Sequence, residues 1–239
     1  MRRPYQDYRR PFQDPPKPKR DRKKYLLWLA SFGVLYVATE KLLANYTEML
    51  VEGLIDPSGW GAKALATISH AHSMAYVYGA QSMGGNVTPT EAEGLLQTTL
   101  QDQAEFLYGF VLDLESGDER YLYNPNIDPK IPDTIFAPPP IEDEENPYWD
   151  EKAINQRLFL YNERTRGTAN WAAVDMLHPS EKIYWIDDPS ESECDVCKWR
   201  STVTWYKGTL PGVPGDGSTP CLVHCKCHLE LADGTIIQF

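Results

Sequence analysis

The sequence predicts an α+β fold, mostly α-helical, in which an N-terminal helical bundle carries a small C-terminal β region knotted by cysteines. Three observations lead there. Long helical periods with capping signals fill the first half of the chain, whereas short alternating runs bounded by turn residues appear only beyond residue 180. All five cysteines of the 239-residue chain fall within the thirty-four residues from Cys194 to Cys227. A chain that collects every thiol in one place uses them together, on a metal ion or in disulfides.

Length and composition narrow the class. At 239 residues, with 42% hydrophobic and 24% charged side chains, the chain can bury a real core without disulfides, so it is globular rather than disordered or fibrous. Its charge is unevenly divided. Residues 1–24 hold ten Lys or Arg against three Asp, so the rest of the chain carries −18 of the total −11. An acidic body resists nonspecific adhesion to nucleic acid, while a short basic arm can attach to phosphates or to an acidic protein surface. The basic start runs into prolines and has no small-residue cleavage site after an apolar core, so synthesis in the cytoplasm is expected.

The elements follow in order. Residues 1–24 interleave Arg, Lys and Pro with Tyr5, Tyr8 and Phe12, which predicts an extended or disordered, partner-binding arm. The uncharged run 25–39 has fifteen residues, fewer than the roughly 20 of a spanning helix, so a buried or partner-facing helix is expected and no stable membrane insertion. That helix continues to about Gly53, with Leu42, Leu43, Tyr46, Leu50 and Val51 on one stripe. Asp56-Pro57 opens a second helix to about Met83, ended by Gly84-Gly85. Thr88-Pro89-Thr90-Glu91 is a capping box, and its helix runs to about Glu115. Leu95, Leu96, Leu100, Phe106, Leu107, Phe110, Val111 and Leu114 are its candidate core residues. These helices form the domain at 25–117.

Residues 118–149 join a proline triplet to an acidic cluster and read as a linker or strap. The remainder, 150–239, is a long helix over about 149–177 followed by short strands at 182–186, 201–207 and 228–231, and a further strand near 234–239.

The cysteines carry the clearest chemistry. Cys194-x-x-Cys197 on a tight turn presents two sulfurs on one side, and Cys221, Cys225 and Cys227, with His224 among them, form a second knot. Together they suit a closed, structural zinc site in which Cys194 and Cys197 are the safest ligands and two of Cys221, Cys225 and Cys227 complete the set. The C-x-C pair and the odd fifth cysteine depart from an ordinary zinc ribbon, so a disulfide across the knots and unmodified thiols stay open. A thioredoxin-like role is not expected, because the C-x-x-C does not open a helix after a strand of a βαβ unit.

Other candidates read as structure. His70 and His72, two apart on a helix, point to different faces and are expected to be partly exposed. The cluster Glu142-Asp143-Glu144-Glu145 has no nucleophile or glycine-rich loop beside it and reads as a solvated strap. Glycines 84, 85, 212, 215 and 217 suit turns. Arg157, Arg164 and Arg166 share a helix and are expected in surface ion pairs, with a phosphate or carboxylate site as the sharper reading.

One pattern runs through the second half of the chain. Arg157-Leu158, Tyr161, Arg166-Gly167 and Trp171 sit on a helix, and a strand with Tyr184-Trp185, the C-x-x-C, a Leu-Pro-Gly turn and the C-x3-C-x-C follow. With the helix bearing His72 and Tyr76 and the run Glu105 to Phe110, this resembles the head morphogenesis, or minor head, proteins of tailed bacteriophages, the phage Mu F-like group, over roughly residues 42–232. That pattern has a histidine ligand where Cys221 stands here, with His224 displaced from it.

The resemblance implies a structural virion component rather than an enzyme. Such a protein is present in several copies in the capsid interior or portal region, is made in the bacterial cytoplasm, and acts in head assembly or DNA packaging and delivery. The portal or major capsid protein is the expected partner of the basic arm, with packaged DNA a further contact. The competing class is a virion-associated enzyme, such as an ADP-ribosyltransferase, or an ejected host-acting protein; it requires Arg, Ser or Thr and Glu converging from separate strands, and no Glu-x-Glu stands in a strand context.

Overall fold

The structure is a computed structural model and describes residues 22–122, 149–187, 194–219 and 225–239. Four long helices and a small antiparallel sheet make up the described chain, so the broad α+β class stands. Residues 1–21 of the proposed arm, most of the linker with its acidic cluster, Cys221 and His224 lie outside the described residues, while residues 22–24, expected to belong to the arm, are the start of a helix.

Local signals explain most helix boundaries. Helix α1 spans Arg22–Val51, and the chain turns at Gly53, where φ is 70° and a side chain would be strained. Helix α2, Pro57–Ser82, starts where the Asp56 carboxylate accepts from Gly59 N at 2.7 Å. It stops at Gly84, with φ 87°, as Gly85 N donates back to Ala80 O. Helix α3, Pro89–Leu95, carries the complete capping box of Thr88 and Glu91. It ends there instead of continuing to Glu115, because Leu96 leaves helical geometry at ψ 7°, and α4 restarts over Gln97–Glu115. Helix α5, Glu151–Asp175, is capped by Asp150, whose carboxylate accepts from Ala153 N.

The break after α3 re-phases the apolar stripe. Leu96, Leu107, Phe110, Val111 and Leu114 are buried as expected, but Leu95 and Phe106 are exposed. On α1, Leu43 and Leu50 are buried and Tyr46 packs beside them, whereas Leu42 and Val51 face solvent. Within the uncharged run only Phe32 and Thr39 are buried; Leu26, Leu27, Val34 and Val37 are exposed. Because the helix continues beyond that run, α1 has the length and composition to cross a membrane, contrary to the count made on the run alone. One side of it packs against α2 and α5.

Strands β1 (Ile183–Ile186), β2 (Thr204–Trp205), β3 (His228–Leu231) and β4 (Ile236–Ile237) pair in the order β2-β1-β3-β4, antiparallel throughout. The second predicted strand, 201–207, is cut to two residues because Ser201 ends a helix, α6 (Asp195–Ser201), capped at Thr202, and the chain turns at Tyr206, whose carbonyl accepts from Thr209 N. Ile183 opposite Leu231 and Trp185 opposite Leu229 put the apolar alternates on one buried face. That face shares a core with Phe32 of α1, Ala75 of α2 and Ala169, Ala173 and Val174 of α5. A second core lies between α1, α2, α4 and α5 around Trp60, Phe110, Ile154 and Leu158.

Two glycines permit close approach. A Cβ at Gly79 would lie 2.0 Å from Ala169 O, so α2 and α5 cross almost backbone to backbone. A Cβ at Gly167 would lie 2.5 Å from Asp216 Cα and N, which seats the turn around Asp216 directly on α5.

Candidate metal centre

The sheet is too small to bury all its own edges, and its cysteines gather where it meets α6. Cys194 is the N-cap residue of α6 and Cys197 lies in its first turn. The C-x-x-C therefore opens a helix, contrary to the tight turn expected, although its neighbouring sheet is antiparallel and contains no βαβ unit. Cys225 and Cys227 occupy the extended lead into β3, where alternate residues share a side. Both are buried while Lys226 between them is exposed.

The result is a cluster of three buried sulfurs from two segments. The Sγ atoms of Cys197, Cys225 and Cys227 lie within 4.8 Å of one another, and those of Cys197 and Cys225 are 3.8 Å apart. Cys194 is half-buried and packs against the same core. No disulfide joins the four described cysteines to one another. The hydrogen bond with Cys227, then burial, then the charges Cys227 and Cys197 would carry, push the Cys225 thiol far up from its usual range. Several thiolates cannot share so small a volume without a cation among them. Three soft donors in this geometry could hold a metal ion, whose charge would reverse that balance.

The same helix carries a buried cation. Arg200, one turn beyond Cys197 on α6, is 5% exposed and makes no carboxylate pair among the described residues. Its guanidinium donates to Ser218 Oγ and Ser218 O at 3.0 and 3.1 Å and lies 4.8 Å from the Trp185 ring centre.

No protein-family model, no curated protein and no solved structure matches the chain.

The weaker sequence candidates separate. His72 is fully buried rather than partly exposed, because α5 and α4 close over α2 on its side; His70 is exposed. The three arginines do not form one site. Arg166 donates to the Glu163 carboxylate at 3.1 Å and to Phe239 O at 2.7 Å, and Tyr36 hydroxyl donates to the same carboxylate. Arg157 faces the Phe110 ring and Arg164 the Phe106 ring. The glycine turn is held by Asp216, whose carboxylate accepts from Val213 N, Ser218 N and Trp171 Nε1. Sequence reasoning missed Arg200, whose only signal was its one-turn spacing from Cys197.

Proposed function

We propose that this chain is a structural minor head protein of a tailed bacteriophage, held at the portal or inner capsid and acting in head assembly or DNA packaging and delivery. The observation that carries this reading is the use made of the motif behind the resemblance. Gly167 and Trp171 seat and hydrogen-bond the Asp216 turn, and Arg166 ties α5 to the last residue of the described chain, Phe239. These residues fasten the β region to the helices, which is scaffolding work.

The charge division supports the same reading. A basic arm followed by α1, whose Leu26, Leu27, Val34 and Val37 present an apolar face, suits docking on a portal or capsid subunit. The acidic body keeps its distance from packaged DNA. Within this role the cysteines act as a zinc staple. Zinc–sulfur bonds of about 2.3 Å in a tetrahedron place neighbouring sulfurs about 3.8 Å apart, the separation of Cys197 and Cys225. Cys194 or Cys221 supplies the fourth sulfur. Zinc would contribute Lewis-acidic charge that fixes thiolates and no turnover.

The test is deletion of residues 2–24 in an infecting phage. Heads lacking the protein, with the truncated chain still soluble and folded, are expected. Normal incorporation into heads would remove the arm as the docking element.

A further inference from the structure

Helix α1 has two unlike sides. Phe32, Thr39, Leu43 and Leu50 are buried against the body, while Leu26, Leu27, Val34 and Val37 are each between 47% and 73% exposed. Ala30, Gly33 and Ala38 are exposed between them. At about 100° per residue these seven fall in one sector of roughly 140°, a strip without charged or hydrogen-bonding side chains that runs roughly 18 Å along the helix. Lys23 and Lys24 stand at its start, and Glu40, Lys41 and Glu48 take over the exposed surface beyond residue 38. The middle of the strip is open: apart from the helix itself, no described atom lies within 4 Å of a Cβ built on Gly33.

The helix cannot leave the protein to span a bilayer. Phe32 packs edge to face on Phe239, and Leu43 and Leu50 enter the core around Trp60, so crossing would break both cores. Lying flat is different. The most apolar stretch of α1 has only 17% of its residues buried, and its open side can enter the headgroup boundary while the other side keeps its contacts. Charge selects the kind of surface. The ten Lys and Arg against three Asp of residues 1–24 lead directly into the strip, and stable attachment to lipid takes two signals of this sort, apolar area and a polybasic segment beside it. The −18 carried by the rest of the chain opposes this weakly, because charges more than about 8 Å from a surface are screened at physiological salt. A second copy is a poorer occupant. The strip offers about 200 Å² a side, well short of the roughly 1,000 Å² of a stable interface. It also holds no Trp, Tyr or Arg anchor, since Trp28 stacks on Tyr78, and Tyr25 and Tyr36 bond to Gln238 and Glu163.

We propose that the α1 strip and the basic segment before it form a binding surface for an anionic lipid bilayer, with Leu26, Leu27, Val34 and Val37 seated below the headgroups and the helix axis parallel to the membrane. Docking on a head subunit uses the same surface, so lipid is the partner of the undocked chain, and either reading can fail without the other.

Co-sedimentation of the full chain with vesicles tests it. Saturable binding to vesicles of phosphatidylglycerol and phosphatidylethanolamine in equal parts is expected, with phosphatidylcholine vesicles bound at least about tenfold more weakly. Val34→Glu should weaken the binding about tenfold, and Gly33→Leu should tighten it by a similar factor. Both positions open to solvent, so both variants should fold as well as the parent. Absence of binding to the anionic vesicles overturns the proposal. So does binding that neither substitution changes, which would leave the basic segment as the whole attachment. A dimer in light scattering that Val34→Glu dissolves would also overturn it, by giving the strip to a second copy.

Discussion

His72 shows how one side chain can set the acid limit of the whole protein. An imidazole exposed in the unfolded chain takes up a proton near pH 6.5, whereas the buried ring resists until about pH 4, because burial and then Arg164 oppose its charge. Between those values the unfolded state binds more protons, so stability is full above about pH 6.5 and falls as the pH drops toward 4. From pH 7 to pH 5 this one group removes about 2 kcal/mol. Urea denaturation at the two pH values should show that loss in the parent, and His72→Gln should lose most of the pH dependence whatever its own stability. An unchanged dependence in the variant would place the effect elsewhere. The burial of His72 was not legible in the sequence. Helix α2 is rich in Ala, Gly and Ser on several sides, so no apolar stripe marks which face α5 will cover. Only the contact of Gly79 with Ala169 O reveals how closely that helix approaches.

At the scale of elements, α6 is seven residues long, too short to persist without outside support. Arg200 on Ser218 and Trp205 Nε1 on Arg200 O hold it, and under the proposed zinc staple the cysteine cluster would also tie Cys197 to the lead into β3. Protein purified without chelator is expected to carry one zinc per chain. Chelation should lower the melting temperature by about 10 °C or more, given several kcal/mol of binding energy. Loss of near-ultraviolet ellipticity from Trp199 and Trp205, which stack edge to face at 5.6 Å, should accompany it. An elemental analysis free of metal, with fewer than five reactive thiols, would point to disulfides instead. The elements themselves were largely readable. Asp56, Thr88 with Glu91, and the glycines at 84 and 117 act within a turn or two of their own position, so local chemistry places them. The interruption at Leu96 was not readable, since leucine is a good helix former and nothing in the surrounding residues signals a stop.

Across the whole molecule, α1 joins what the sequence suggested as separate parts. Phe32 packs edge to face on Phe239 at 5.6 Å within the core of the sheet, while Leu43 and Leu50 of the same helix enter the core around Trp60. Phe32→Ala should therefore cost about 3 kcal/mol and lower the helical and C-terminal signals together. Coincident urea midpoints by far-ultraviolet dichroism and tryptophan fluorescence are expected; separated midpoints would mean two independently folding units. The contact was invisible beforehand because it spans more than two hundred residues and depends on how α5 carries the sheet back to α1. The candidate site divides the same way. Alternation places Cys225 and Cys227 on one side from sequence alone, but their meeting with Cys197 required the sheet.

The stacking of Arg200 on Trp185 has an optical consequence. Trp185 is 1% exposed, and the cation over its ring belongs to the same short helix as Cys197. An indole's emission responds to the field along its long axis, so any loosening of that helix shifts the charge and the colour of the emitted light together. A shift in Trp185 emission, seen as a change against a Trp185→Phe variant, is therefore the expected optical sign that this helix has moved.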